Sequence, residues 1–439
     1  MAQGGRKFRC ESSAPCPGGC MQADACFTSA AHEGATLSEG TTVRRCADED
    51  QGFGLYATRS FATGEEVWRE SPRLFLQHHY SASVCPSCLH CGRLLGGSHL
   101  RRFERQPSLA RAGLHRREEL QLPEPVLCPH ACGARFCSET CRGAQLTAGH
   151  HRILCAELPA DRREAWGEFR AHARRHLEAL ILAAQAIALI ICDVRHGQKP
   201  FGAAVARHVT YIGTPWHSQV PEGAPKRTAR VGRRLHMLKT AVGLLADALS
   251  EPGLEALFEL DFFTGLVGMQ QLTCIHLLRP HTLEAPLRAC LEGASAEEWQ
   301  ALRASAGQWK AVQESQLDME EHSSESSAVS EEDVDGALSG LLPPFEGVGF
   351  APTVALTNHS CAPNVSIRIR EPCEVVATAT RDITTGEQIV MNYVPTAGPL
   401  QDRQRRLWVD YGFHCRCGRC LDEASAAIED SAQGPDRTP

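Results

Sequence analysis

The chain has 439 residues, an ordinary 43% of them apolar, and a net charge of −7. That length allows roughly two to four compact units with real cores. The charge excludes a global attraction to nucleic acid or to an anionic membrane surface. The outlier is cysteine, at twenty-one residues. Met1–Cys10 is polar and basic, without the apolar core of a signal peptide. The longest apolar run, Ala179–Cys192, is interrupted by Gln185 and too short to span a bilayer. A cysteine-rich chain of this kind is expected to be reduced and cytoplasmic and/or nuclear, its clustered cysteines binding metal instead of forming disulfides.

Residues 1–40 are rich in Gly, Ser, Ala and Cys and have no periodicity. They read as a disordered leader, with a metal site at Cys10, Cys16, Cys20 and Cys26 as the other reading. Within 41–84, Thr42–Gln77 reads as a β-meander. Val43–Cys46 leads to Gly52-Phe53-Gly54-Leu55-Tyr56-Ala57, then a turn at Phe61–Gly64 and a run over Glu66–Pro72. A lone Gly-x-Gly is most often a plain β-turn, but its missing Cβ atoms also permit close backbone approach.

Residues 85–155 carry Cys85-x2-Cys88, Cys128-x3-Cys132, Cys137-x3-Cys141 and His151-x3-Cys155. Four pairs of such ligands fill two tetrahedral zinc sites, and Cys91 and His150 are spare candidates beside them. Residues 156–313 read as helical, with apolar faces over Glu164–Arg195, Arg227–Leu249 and Leu254–Leu278; Phe262, Phe263 and Met269 read as core. Residues 314–340 read as a flexible acidic loop. Its Glu314–Asp335 holds nine acidic residues and no Lys or Arg, which makes it a solvated linker or a docking strip for basic substrate.

Residues 341–398 hold strand-like runs at Thr353–Leu356, Val375–Ala377 and Gln388–Met391. The first leads into a polar Asn358-His359-Ser360-Cys361 turn, and the last, after a Gly386-Glu387 turn, delivers Asn392-Tyr393. Residues 399–422 hold a short helix at Asp402–Trp408 and then Cys415-x-Cys417-x2-Cys420; residues 423–439 read as a disordered tail. Three cysteines make an incomplete tetrahedron, which Cys361 completes, or which His414 or Cys373 completes as an independent knuckle.

The order Asn-His-Ser-Cys, Gly-Glu, strand-end Tyr, Cys-x-Cys-x2-Cys resembles the C-terminal half of a SET domain. Gly52-Phe-Gly-Leu-Tyr-Ala-Thr followed by Thr63-Gly-Glu resembles its first strand pair, and the four ligand pairs resemble a MYND finger. Over residues 42–422 the chain resembles the SET and MYND family of protein-lysine methyltransferases, in the branch lacking the C-terminal helical-repeat lobe. The resemblance implies an α+β fold. Its SET β-fold is interrupted by a MYND finger and a long helical insert, and it closes on a cysteine-rich zinc segment.

It further implies S-adenosylmethionine as cofactor, touched by the Gly52–Leu55 backbone and by Asn358, His359 and Tyr393, with Phe413 on the adenine ring. Tyr393 is then the catalytic tyrosine and Tyr411 the opposite wall of a lysine channel. In the finger, the first and third ligand pairs share one zinc and the second and fourth share another; with the tail site, three zinc ions are expected. The implied partners are a protein substrate and a proline-containing peptide at the finger. The competing reading is a catalytically silent adaptor of the same fold.

Overall fold

The computed structural model describes residues 38–47, 51–96, 121–209, 215–220, 226–290 and 342–432. Cys10, Cys16, Cys20, Cys26 and the acidic stretch Glu314–Asp335 lie outside these residues. In chain order the strands are β1 (Thr41–Arg45), β2 (Phe53–Ala57), β3 (Glu66–Glu70), β4 (Leu74–Gln77), β5 (Val126–Leu127), β6 (Arg135–Phe136), β7 (Ile275–Arg279), β8 (Phe345–Phe350), β9 (Asn358–His359), β10 (Val365–Arg370), β11 (Glu374–Ala379) and β12 (Gln388–Met391). They form sheets of order β1-β2-β12-β9, β10-β11-β3 and β4-β8-β7, with β5-β6 a small hairpin.

The N-terminal strands are present, but they are not a meander. Only β1 and β2 pair with each other; β3 pairs with β11 and β4 with β8. Two stretches far apart in sequence thus make one β-unit, whose inward residues Leu55, Trp68, Phe345, Val365, Ala377 and Ile389 share a core. The remaining chain leaves this unit as the finger and the helical insert.

The insert packs helices Arg163–His176, Leu180–Arg195, Arg227–Leu249 and Leu260–Thr273 around a second core. The expected single face over Glu164–Arg195 is broken at Leu177–Ala179, and the second half is apolar on nearly every side because it runs through the middle of the bundle. Phe263 and Met269 are buried there, as core. The expected helix Leu254–Leu278 is corrected. It opens with a 3-10 turn over Glu255–Phe258 and is α-helical over Leu260–Thr273, and its last part is strand β7. There Leu277 and Arg279 turn inward and His276 and Leu278 outward, a period of two that helical spacing cannot satisfy, and Pro280 ends it.

Thr353–Leu356 is also corrected: it lies in a short helix, Pro352–Ala355, with proline in the first turn. The Glu70 carboxylate of β3 accepts the Thr353 and Val354 N–H groups at 3.1 and 3.0 Å, capping that turn. Helix Leu400–Tyr411 closes on Gly412 at φ +76°, and helix Gly418–Ala432 extends into the stretch expected to be tail. No helix among the described residues is long and apolar enough to cross a membrane.

Candidate active site

β12 lies between β2, antiparallel, and the two-residue β9, parallel, in register Val390↔Asn358 and Met391↔His359. Fully buried Asn364 fixes this register. Its Oδ1 accepts the Val390 N–H at 2.8 Å, and its Nδ2 donates to the Gln388 carbonyl and to Glu387 at 2.9 and 3.0 Å. Tyr393 follows two residues beyond β12, partly buried. Its N–H donates to His359 Nδ1 at 2.9 Å and its hydroxyl to the Thr357 carbonyl at 2.8 Å. An Nδ1 that accepts is unprotonated, so His359 is neutral with its proton on Nε2, 3.4 Å from Cys361 Sγ. Burial, with the Arg403 charge adding to it, holds the imidazole down at about 4.

Helix Leu400–Tyr411 brings an aromatic cluster to this point. The Tyr411 ring lies 4.9 Å from that of Tyr393, and Phe413 lies 6.4 Å from Tyr393 and 6.0 Å from His359. Two clefts meet here. A cavity of about 560 Å³ is lined by Asn358, His359, Tyr393, Trp408, Phe413 and His414, among others. A second, of about 640 Å³, opens between β7 and β10 and reaches Tyr393 and Tyr411. Tyr393 is common to both walls.

Asn358, His359, Tyr393 and Phe413 are therefore brought together, and Tyr411 stands on the far side of Tyr393. The Gly52–Leu55 stretch sits differently. The first cavity meets that loop at Gln51. The Phe53 carbonyl accepts from Asn358 Nδ2 at 2.9 Å, Gly54 packs so tightly that a Cβ there would lie 2.6 Å from Gln388 Nε2, and the Leu55 side chain is core. Gly54 serves close packing beneath Asn358, whereas Gly52 takes a φ of +65° with open space where a Cβ would stand. Sequence reasoning missed Trp408 and His414, whose rings stack at 5.0 Å and 4°, and Arg381, Glu387 and Gln388 on the cavity wall. It also missed β7, whose bounded alternation between Cys274 and Pro280 was the available signal.

Three groups of ligand atoms each lie within 4.8 Å of one another: Cys88, Cys91, Cys137 and Cys141; Cys128, Cys132, His151 and Cys155; and Cys361, Cys415, Cys417 and Cys420. Sulfur separations of 3.6 Å for Cys91–Cys137 and 3.8 Å for Cys128–Cys155 match the edge of a zinc–thiolate tetrahedron, about 3.8 Å for 2.3 Å bonds. Each group could hold one zinc.

Cys85 is a correction. It caps the helix His79–Val84 and is fully buried in the core of the β-unit, where burial pushes its thiol up to about 12. Cys91 stands in its place. The overlapping motifs Cys85-x2-Cys88 and Cys88-x2-Cys91 look alike in sequence. Only the second closes a turn, with the Gly92 N–H donating to the Cys88 carbonyl at 2.9 Å, and hydrogen bonding with Cys91 lowers the Cys88 thiol. Where both histidines were candidates, the second group contains His151, not His150.

The SET domain profile matches residues 52–394, more than three-quarters of the chain, with the finger and the insert inside the match. The chain belongs to the SET-domain family. Histone-lysine N-methyltransferase ATXR2 of Arabidopsis thaliana is 25% identical over 338 residues, 70% of this chain and 65% of that protein. Protein-lysine N-trimethyltransferase SMYD5 of Mus musculus is 25% identical over 416 residues, 89% of each chain. A SET and MYND domain-containing protein of Dictyostelium discoideum is 31% identical over 80 residues, 18% of this chain and 23% of that protein.

In this SET domain the two clefts have different chemistry. The first presents aromatic faces, amide groups and the arginines Arg381, Arg416 and Arg419, a set suited to a heteroaromatic ring and an anionic group, and its volume suits a ligand of nucleoside size. The second mixes polar and apolar surface in about equal parts and borders two strand edges, which suits an extended polypeptide.

Proposed function

We propose that the protein transfers a methyl group from S-adenosylmethionine to the ε-amine of a lysine in a protein substrate, and that three zinc ions hold its finger and its tail. The observation that carries this reading is Tyr393 on the shared wall of a nucleoside-sized cavity and a polypeptide cleft. S-adenosylmethionine, when bound, supplies an electrophilic sulfonium methyl; Asn358, His359 and Phe413 are the residues to hold it. The chain's own work is then positional. Tyr393 spends its hydroxyl proton on the Thr357 carbonyl, so its oxygen presents lone pairs that can accept from the incoming amine. Tyr411 closes the other side with an aromatic face. A narrow aromatic channel disfavours the charged ammonium, so lysine enters as the neutral nucleophile without a dedicated base. Alignment of this kind lowers a displacement barrier by several kcal/mol, up to about 7–11 in ideal cases.

The names of the plant and mouse relatives, both lysine methyltransferases, support the reading. A protein with such thiol clusters works in a reducing compartment, the cytoplasm or the nucleus. The test is incubation with methyl-labelled S-adenosylmethionine and a cell lysate or histones, beside Tyr393→Phe. Label on substrate lysine that falls about 30- to 1000-fold in the variant, with cofactor binding kept, is expected. Wild-type turnover in Tyr393→Phe removes Tyr393 from the mechanism, and no label from the wild type leaves an adaptor that takes a peptide at its finger.

A further inference from the structure

The second cleft has a charge pattern that bears on which lysines it accepts. Its side walls are Ile275, His276 and Leu278 of β7 and Ile367, Arg368 and Ile369 of β10. These are the outer strands of their sheets, so each leaves a backbone edge beside the cleft. Among the described residues no carboxylate lines it, and Asp410, next to Tyr411, is not among the lining residues. Partial burial and the nearby His78 lower the pKa of His276, which disfavours its charged form.

Arg368 is exposed and forms no ion pair with the described residues. The arginines around it are otherwise engaged. Arg69 bonds Glu66 at 2.6 Å and approaches Glu374 at 3.4 Å, and Arg370 approaches Glu66 at 3.9 Å. Among the described residues the cleft therefore offers mixed polar and apolar surface, two strand edges and one uncommitted cation. Among the described residues a polybasic segment would find there no acid to pair with and one like charge.

We propose that the segment carrying the target lysine has a carboxylate near the lysine that pairs with Arg368, and that the cleft discriminates against lysines flanked by basic residues. This rests on the methyl-transfer reading above. An exposed pair of this kind changes affinity about 1.4- to 5-fold, and replacing attraction by repulsion widens the difference.

Two peptides test it, identical in their apolar residues and central lysine, one with flanking Asp and Glu and one with flanking Lys and Arg. With the full chain and labelled cofactor, the ratio of kcat/KM for the two should favour the acidic peptide, and the advantage should shrink as salt rises. Arg368→Gln should flatten the ratio and Arg368→Glu should invert it. A wild-type preference for the basic peptide, or a ratio that Arg368→Glu leaves unchanged, overturns the proposal. Fluorescence anisotropy of the same peptides reads the ranking without turnover. If the peptides bind in the expected order but no protein or peptide takes label, methyl transfer fails and the charge selection stands.

Discussion

Arg279 Nη2 donates to the Gly92 carbonyl at 3.1 Å and thereby fastens β7, a wall of the polypeptide cleft, to the finger loop that follows Cys91. The guanidinium is almost fully buried. Its Nη1 reaches Thr282 Oγ1 at 3.2 Å and Glu371 at 3.6 Å, and it lies 5.4 Å over the Phe345 ring. Gly92 is held from the other side. Its φ is +75°, and a Cβ there would lie 2.6 Å from the Cys373 Cβ. The finger is thus part of the β-unit and not a tethered module.

The first prediction follows from that joint. Arg279→Met strands a buried carbonyl and leaves Glu371 without its cation, so chemical denaturation should show a loss of about 2–4 kcal/mol. Arg279→Lys should recover only part, because an ammonium lacks the fork that serves Gly92, Thr282 and Glu371 together. A loss under about 0.5 kcal/mol in Arg279→Met, the range of ordinary surface substitutions, would show that the finger does not depend on this contact.

The second prediction concerns the corrected ligand. Cys91→Ser should remove about one zinc per chain by mass spectrometry, since one thiolate of a closed site is lost. Cys85→Ala should keep all the metal and cost only packing, about 1 kcal/mol. Zinc lost from Cys85→Ala and kept in Cys91→Ser would restore the first cysteine as the ligand.

What could be read from sequence follows from how local each signal is. Cys361, Cys415, Cys417 and Cys420 were legible because metal ligands leave spacing that does not depend on the fold, and four short motifs in order fixed Asn358, His359 and Tyr393. Cys85 against Cys91 was not legible. Both spacings are sound, and what separates them is that Cys85 packs in the core of the β-unit, a long-range fact. The Gly52–Leu55 stretch shows the same limit. Small residues announce a close approach, but not whether a ligand or Asn358 makes it. β7 was hidden because a strand of five residues following a long helix prolongs the apolar pattern until its partner β8, some seventy residues later, sets the period.

A third prediction uses pH. Burial alone would raise the Glu387 carboxyl. Arg381 at 2.6 Å, the Thr384 N–H and Asn364 together outweigh it and hold it at about 2. A depressed folded pKa gives stability that is complete above the unfolded value of about 4.5 and is lost as pH falls toward about 2. The stability advantage of wild type over Glu387→Gln should therefore shrink as pH falls through that window, by on the order of 2 kcal/mol, and show no added pH dependence between 6 and 8. The comparison with wild type cancels acid release of zinc, which both proteins share. Parallel acid limbs in the two proteins would show that Glu387 titrates normally.

The last prediction separates the metal sites by role. Cys361 lies two residues from His359, and Cys415 two from Phe413, so one metal would tie both sides of the nucleoside-sized cavity together. The tail is further pinned by two arginines. Arg419 donates to the Cys361 and Thr396 carbonyls at 3.2 and 2.9 Å, and buried Arg403 donates to Glu423 at 2.7 Å and to Cys420 Sγ at 3.8 Å. Those bonds orient the ligand loop but cannot replace the missing vertex of a tetrathiolate. Cys361→Ser should lose about one zinc and weaken S-adenosylmethionine binding about 10- to 100-fold, with the helical insert still folded by circular dichroism. Cys137→Ser should also lose about one zinc but fall chiefly in thermal stability, because its site lies in the finger and its path to the cavity runs only through packing. Calorimetric cofactor titration beside metal content decides between them. Full zinc and full cofactor affinity in Cys361→Ser would show that the tail cysteines do not shape the cavity.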